Sequence, residues 1–253
     1  MAWRCSGRSN NDLIRNMRRQ GIITSDRVAD AMAKVDRVNY VQRPGDAYQD
    51  SPQSIGHGAT ISAPHMHAHA LENLLPYIRP GATVLDVGSG SGYLAAVLHH
   101  LVSPAPSPDN PNPPQGKVIG IDHIPELVGW SKHNLEQDGL GAALQDGRIE
   151  MIVGDGRQGY IPAGMSSFSA SQGKLIPSTA PYDAIHVGAA APTLPQALID
   201  QLNAPGKMFI PVGIYSQSIW EVEKTAAGHV RKRELMGVMY VPLTDPDRQR
   251  NGV

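Results

Sequence analysis

Three aspartates stand where three apolar, β-branched runs give way to glycine or to a turn. Asp86 lies in "VLDVGSGSG", Asp122 ends "VIGID" and Asp155 follows "IVG". A carboxylate there can accept hydrogen bonds from the hydroxyl and amino groups of a ligand, and open α/β sheets bind ligands outside the carboxyl ends of their strands. Each aspartate alone reads as a solvated loop residue or a helix cap; three at consecutive strand ends read as one crevice. Gly88, Gly90 and Gly92 follow Asp86 in a D-x-G-x-G-x-G pattern. Glycines let the backbone turn sharply and let a ligand approach the main chain. The spacing differs from the G-x-G-x-x-G of dinucleotide enzymes, and no lysine follows to meet a phosphate.

A second stretch, "IGHGATISAPHMHAHALENLL", places His57, His65, His67 and His69 around Ser62 and Pro64. A metal site, a catalytic base and a histidine-rich helix are all conceivable. Ser62 is a good N-cap, and Pro64 then falls in the first turn, where its missing N–H costs little. The free amides and positive dipole end of that helix are expected to face an anion. Helical spacing puts His67 on one stripe with Leu71, Leu74, Leu75 and Ile78, hence inward, and His65, His69 and Glu72 on another face. His65 and His69 have the i, i+4 spacing of a metal pair, but solvated histidines are the commoner outcome, and no metal is expected.

The elements that must position these residues alternate. "TVLDV", "KVIGID", "IEMIVGD", "YDAIHVG" and "GKMFIPVG" read as strands; "YLAAVLHHLV", Pro125 to Gln137 and "LPQALIDQL" read as helices between them; "SIWEVEKT" and "LMGVMYVPL" read as closing strands. Such alternation predicts a mostly parallel, seven-stranded sheet with helices on both faces. Two short helices precede it, one opening at "NNDLIRNMRRQG" with Asn/Asp capping candidates and one at Ser25, and a Pro/Gly loop follows them. Residues 1–80 are thus expected to form a helical segment with the histidine-bearing loop and helix, packed on a core of residues 81–253. Inserted surface loops are expected at 103–116, which is proline-rich, and at 163–181, which is small and polar.

Composition narrows the function classes. In 253 residues, 41% hydrophobic content against 18% charged suffices for a sizeable core. A net charge of −1 and 5% aromatic residues speak against a nucleic-acid or anionic-membrane partner. Cys5 is the single cysteine, so neither an internal disulfide nor a thiolate zinc cluster is expected. No apolar stretch resembles a secretion signal or a membrane span, and a monomer of the cytoplasm is the expectation.

Together, "DSPQSIGHGATISAPHMHAHALE", "LDVGSGSGYL", "VIGIDHIPELV", "VGDGRQGY", "YDAIHVGAAAPTLPQALIDQL" and "MGVMYVPLTD" resemble the protein-L-isoaspartate (D-aspartate) O-methyltransferase family over nearly the whole chain. The resemblance implies a Rossmann-like, class I fold and S-adenosylmethionine as cofactor, leaving S-adenosylhomocysteine. It implies methylation of the free α-carboxylate of L-isoaspartyl residues in damaged proteins and peptides, with the side-chain carboxylate of D-aspartyl residues as a second acceptor. It implies Ser62 as the active-site residue. As cofactor-binding residues it implies Ala59, Thr60, Ile61, Ser62, His67, Asp86, Gly88, Ser89, Gly90, Gly92, Asp122, His123, Asp155, Gly156, Thr244 and Gln249. His57 and Gly58 depart from the expected pattern, which leaves their role open. The alternatives are a methyltransferase of this fold acting on another carboxylate and a non-catalytic adenosylmethionine-binding interaction protein. After the fourth strand there is no Asn/Asp-Pro-Pro-aromatic motif, which speaks against methylation of base amino groups.

Overall fold

The structure is a computed structural model that describes residues 5–161, 166–169, 174–177, 182–245, 247 and 249. Helices α1 (Asn10–Arg19) and α2 (Asp26–Lys34) open the chain. The cap of α1 is Ser9, whose hydroxyl accepts the Asp12 N–H, and not the asparagines after it. The following Pro/Gly stretch contains an unexpected hairpin, β1 (Gln53–Gly56) and β2 (Ala59–Ile61). Its tight turn runs through His57 and Gly58, both at positive φ (52° and 67°). Strands this short carry too few residues to show an alternation. Helix α3 (Pro64–Leu74) comes next.

The alternating region then gives β3 (Thr83–Val87), α4 (Tyr93–Val102), β4 (Lys117–Asp122), α5 (Pro125–Gln137), α6 (Gly141–Gln145) and β5 (Ile149–Val153). After β6 (Ser166–Ser169) and β7 (Lys174–Pro177) come β8 (Tyr182–Val187), α7 (Gln196–Asp200), β9 (Leu202–Val212), β10 (Gln217–Lys224) and β11 (Val230–Val238). One seven-stranded sheet runs in the order β11-β10-β9-β8-β3-β4-β5. The pairs from β9 to β5 are parallel, and β10 and β11 close the edge antiparallel. Chain direction diverges between β3, which leads towards β4, and β8, which leads towards β9. That is the switch point at which such sheets open a crevice.

Alternate residues of the central strands feed two apolar layers. Val84 and Val118 belong to a large cluster with residues of α1, α2, α3, α4 and α5; Leu85, Val87, Ile119 and Ile121 belong to a smaller one with Leu198 and Ile199 of α7. Leu13, Met17 and Met32 of the N-terminal helices share the first cluster with Val97 and Leu98. Residues 1–80 therefore contribute to the same core as the sheet.

Three further expectations need correction. The 163–181 stretch is not loop throughout: β6 and β7 pair antiparallel within it, Phe168 opposite Leu175, and the remainder lies outside the described residues. Its small polar composition hid the pairing. The helix expected over "LPQALIDQL" is the shorter α7. The last strand starts at Val230, in the charged "VRKRE", and ends before "MYVPL". Charges on an edge strand mask its pattern while protecting the edge from foreign pairing. The freed residues return across the sheet, with Leu243 N–H donating to Ala190 O and Ala190 N–H to Val241 O, both at 2.8 Å. The 103–116 loop is pinched at its base: Ser103 Oγ donates to Gly116 O and accepts the Gly116 N–H, each at 3.0 Å.

Candidate active site

The glycine loop between β3 and α4 folds over the end of β4. Gly88 and Ser89 N–H both donate to Ile121 O (2.8 and 3.2 Å), and Gly88 and Gly90 hold φ of 74° and 51°, a region side chains avoid. Gly90 N–H donates to Asp122 Oδ2 and Ile124 N–H to Asp122 Oδ1, each at 3.0 Å. The Asp122 carboxylate is thus aimed by the loop and by its own turn. Burial raises its pKa above the ordinary carboxylate value, and the two N–H bonds offset part of that rise. Asp155 caps the short 3₁₀ turn Gly156–Gln158, and Arg157 grips both its oxygens (2.8 and 3.1 Å from Nε) while reaching Asp245 at 2.7 Å. Arg157 accordingly holds the Asp155 carboxyl below its usual range.

Gly88, Gly90, Asp122 and Asp155 line an outer cleft together with Ala59, Thr60, His123, Gly156 and Thr244. Gln249 lines it too: His123 Nε2 lies 2.6 Å from Gln249 Oε1, and Gln249 Nε2 donates to His57 O at 3.1 Å. Gly58 has a packing reason, since a Cβ there would lie 2.5 Å from Gln249 O.

The cleft continues into an inner recess lined by Ile61, Ser62, His67, Asp86, Ser89 and Tyr93, among others. His67 does point inward, with Leu71, Leu74 and Ile78 buried on its stripe and Leu75 half-buried. Its ring packs on Tyr93 at 5.0 Å between centroids. Its pKa is driven well below the ordinary value, first by burial, then by the positive Arg37 and by His186 and His65. His67 is therefore neutral at physiological pH.

Helix α3 corrects the capping expectation. Its N-cap is Ala63, without a side-chain cap, and Ser62 stands one residue earlier. Ser62 is engaged elsewhere: its carbonyl accepts from the Arg37 guanidinium at 2.9 Å, and its side chain shares a hydrogen bond with Tyr240. Nor are the helix amides free for an outside anion. Pro64 has none, His65 N–H donates to the buried Asp50 carboxylate at 3.0 Å, and Met66 and His67 N–H turn back to Ala63 O. Asp50 also takes the His65 ring, Nδ1 to Oδ1 at 2.7 Å. Among the described residues no group of three or more His, Cys, Asp or Glu is arranged to hold a metal.

Every anticipated site residue except Gly92 lines the outer cleft or the recess. Gly92, at φ 84°, instead starts α4, and a Cβ there would press on Ser131 Cβ at 3.1 Å. The structure adds His186, Arg37, Tyr240 and Gly188, which sequence reasoning missed. The one available signal was a histidine amid the apolar run "YDAIHVG". Beyond the recess lies a third, largely apolar cavity of about 580 Å³ walled by Met66, Met239 and Tyr240; it meets the recess at Thr60, Ser62 and Gly188.

Sheet order, glycine loop and carboxylate-lined switch point define the class: a Rossmann-like, S-adenosylmethionine-dependent methyltransferase. The family model described as protein-L-isoaspartate(D-aspartate) O-methyltransferase matches residues 8–248. The chain belongs to that family. It is 44% identical over 243 residues to protein-L-isoaspartate O-methyltransferase 1 of Arabidopsis thaliana, covering 96% of this chain and 94% of the relative. It is 43% identical over 240 residues to the Triticum aestivum enzyme, covering 95% and 93%. A solved Plasmodium falciparum chain, described as a protein-L-isoaspartate O-methyltransferase in complex with S-adenosyl-L-homocysteine, superposes with a TM-score of 0.76 at 33% identity, covering 94% of this chain and 99% of that one.

Proposed function

We propose that the protein transfers a methyl group from S-adenosylmethionine to the free α-carboxylate of L-isoaspartyl residues, the step that lets the ester close to a succinimide and begin repair. One observation carries this reading. A ligand cleft edged by Asp122 and Asp155 shares lining residues Thr60, Gly88 and Gly188 with the recess, which in turn borders a Ser62-edged apolar cavity able to admit a peptide.

The residues fit the cofactor. Asp86 Oδ2, His67 Nδ1 and Ser89 Oγ are buried around the recess without a partner among the described residues, as expected of groups that await a polar ligand. When bound, S-adenosylmethionine supplies a methyl group made electrophilic by its sulfonium. Asp122 would accept the ribose hydroxyls, Asp155, Gly156 and His123 would flank the adenine, Thr244 and Gln249 would cover the outer side, and the recess would take the amino-acid end. The substrate carboxylate, with a pKa of about 3–4, is already ionised at neutral pH, so no general base is required. What remains for the chain is to line up the carboxylate oxygen with the methyl carbon and to exclude water. Ser62 serves the first task through its hydroxyl; the half-buried Met66 and Tyr240 serve the second.

The test is tritiated methyl transfer to an isoaspartyl peptide and to its normal aspartyl twin. Base-labile methyl ester on the isoaspartyl peptide alone is the expected result. No ester on it refutes the reading, and equal labelling of both peptides points to a less selective carboxyl methyltransferase. Among the described residues no helix is long and apolar enough to cross a membrane.

A further inference from the structure

Five large apolar side chains are left exposed among the described residues, and three of them gather at one end of the sheet. Ile214 is 65% exposed and Tyr215 fully so, at the tip of the turn between β9 and β10. Met239, 95% exposed, follows the end of β11. The other two stand apart: Val153 ends β5 on the opposite edge of the sheet, and Val230 opens β11.

Backbone contacts put the turn at the mouth of the apolar cavity. Gly213 N–H donates to Ala191 O at 2.9 Å, and Ala191 follows three residues after the cavity-lining Gly188. On the other side Gln217 pairs with Val238. The Gln217 side chain donates to Tyr240 O at 3.1 Å and accepts the Tyr240 N–H at 2.6 Å. Val238, Met239 and Tyr240 all line the cavity. Ile214 and Tyr215 thus sit between two anchors, one beside the Gly188 wall and one on the 238–240 wall.

The fold does not account for apolar residues at this tip. Turns ordinarily carry glycine or small polar residues. Gly213, at φ 133°, already supplies the conformation this turn needs, and a Cβ there would lie 2.0 Å from Ser216 O. A fully exposed tyrosine adds nothing to the core. Apolar groups gathered in water mark a surface that another molecule covers.

We infer that Ile214, Tyr215 and Met239 form a docking platform for the damaged polypeptide itself, holding an apolar side chain a few residues away from the isoaspartyl link. The inference rests on the methyl-transfer reading above and extends it from the reacting carboxylate to the flanking sequence. Continuity selects this occupant over a second copy of the chain, because Met239 belongs both to the exposed group and to the cavity lining. A peptide held at Ser62 and leaving along the Met239 wall passes this rim. An extended chain advances about 3.3 Å per residue, so the contact falls close to the reacting group in sequence.

The experiment uses the intact enzyme and isoaspartyl peptides built on glycine and serine. Each carries one leucine about two to five residues from the isoaspartyl residue, on one side or the other, a spacing set by the rise of an extended chain. Initial rates of tritiated methyl transfer give kcat and KM for each, beside the all-polar parent. For the wild type, leucine at a favoured position is expected to lower KM about 5- to 10-fold, the scale of half-burying one aliphatic side chain. With kcat unchanged, that is the mark of binding remote from the reacting atoms. Ile214→Ser combined with Tyr215→Ser abolishes the preference and leaves kcat and KM for the parent within about twofold. Ile214→Leu combined with Tyr215→Phe retains it.

The platform is overturned if the wild type favours no leucine position, if the preference survives in the serine pair, or if that pair loses parent and leucine peptides equally. Sedimentation tests the other occupant: a wild-type dimer that the serine pair converts to monomer, with the preference intact, assigns the patch to a second copy. A wild type that labels no isoaspartyl peptide, the parent included, overturns the methyl-transfer reading, and the platform falls with it.

Discussion

Replacing Ser62 with alanine removes one of the two hydroxyl-bearing side chains, Thr60 being the other, that line both the recess and the peptide cavity. The backbone contact survives, since Arg37 bonds the Ser62 carbonyl and not its side chain. What disappears is an oxygen held by Tyr240, whose own pKa is pushed up to about 12 by burial, the Ser62 bond pulling the other way, so that it stays protonated across any practical assay range. If that hydroxyl orients an ionised carboxylate, its loss removes a charged hydrogen bond worth about 1.5–3 kcal/mol. At 1.36 kcal/mol per decade, kcat/KM for an isoaspartyl peptide falls about 10- to 150-fold. Tyr240→Phe leaves the hydroxyl but releases it to rotate, a neutral bond of about 0.5–1.5 kcal/mol, and costs about 2- to 13-fold. Because Tyr240 acts through Ser62, the double variant is expected within about twofold of Ser62→Ala alone. Initial-rate labelling of the peptide reads these values, and the affinity for S-adenosylhomocysteine serves as control, staying within about threefold. A Ser62→Ala enzyme within threefold of wild type, or fully additive losses in the double variant, would refute the reasoning.

Other substitutions test other parts of the molecule. In Asp122→Asn the amide nitrogen must face the N–H of Gly90 or Ile124, and a charged acceptor for the ribose is lost; calorimetry should show S-adenosylhomocysteine binding about 10- to 100-fold more weakly. Gly92→Ala places a side chain at φ 84° against Ser131 and should destabilise the fold by about 1–2 kcal/mol in a chemical melt, with cofactor affinity unchanged in the folded protein. Glu221, buried on β10, accepts from Asn73, Lys207 and Arg233. Burial alone would raise its carboxyl pKa, but those partners outweigh it and bring it below the ordinary value. Glu221→Gln strands the buried Lys207 and should cost about 3 kcal/mol near neutral pH. A carboxyl with a lowered pKa stabilises the fold above its unfolded value of about 4.3 and ceases to as acid protonates the folded form. The difference in Tm should therefore narrow as pH falls below about 4.3 and close once acid protonates the folded carboxyl; a gap that does not shrink with acid would contradict the assignment.

Legibility followed local physics. The glycine loop and the strands on either side were readable to the residue, as were α4 and α5, because buried parallel strands are apolar runs bounded by glycine and because α5 opens at a proline. The cleft aspartates came with them. What escaped detection depends on contacts far apart in the chain. Ser62 looks like a cap until Arg37 and Tyr240, 25 and 178 positions away, are seen to occupy it. Asp50 satisfies a helix amide 15 positions on. His186 matters because of strand register, which no local window contains. Gly92 is the reverse case: a motif glycine expected at the ligand, for which the structure supplies a packing constraint against α5.

The clasp between Ser103 and Gly116 bears on how this chain can change its length. The two ends of the proline-rich segment are tied together by their own hydrogen bonds, and the residues between them leave the sheet at the end opposite the cleft. Doubling a closed loop costs only about 0.6 kcal/mol of closure entropy. The segment is thus a place where lineages can gain or lose chain without retuning the enzyme, and where an affinity epitope or a fluorescent reporter can be spliced in with turnover left intact.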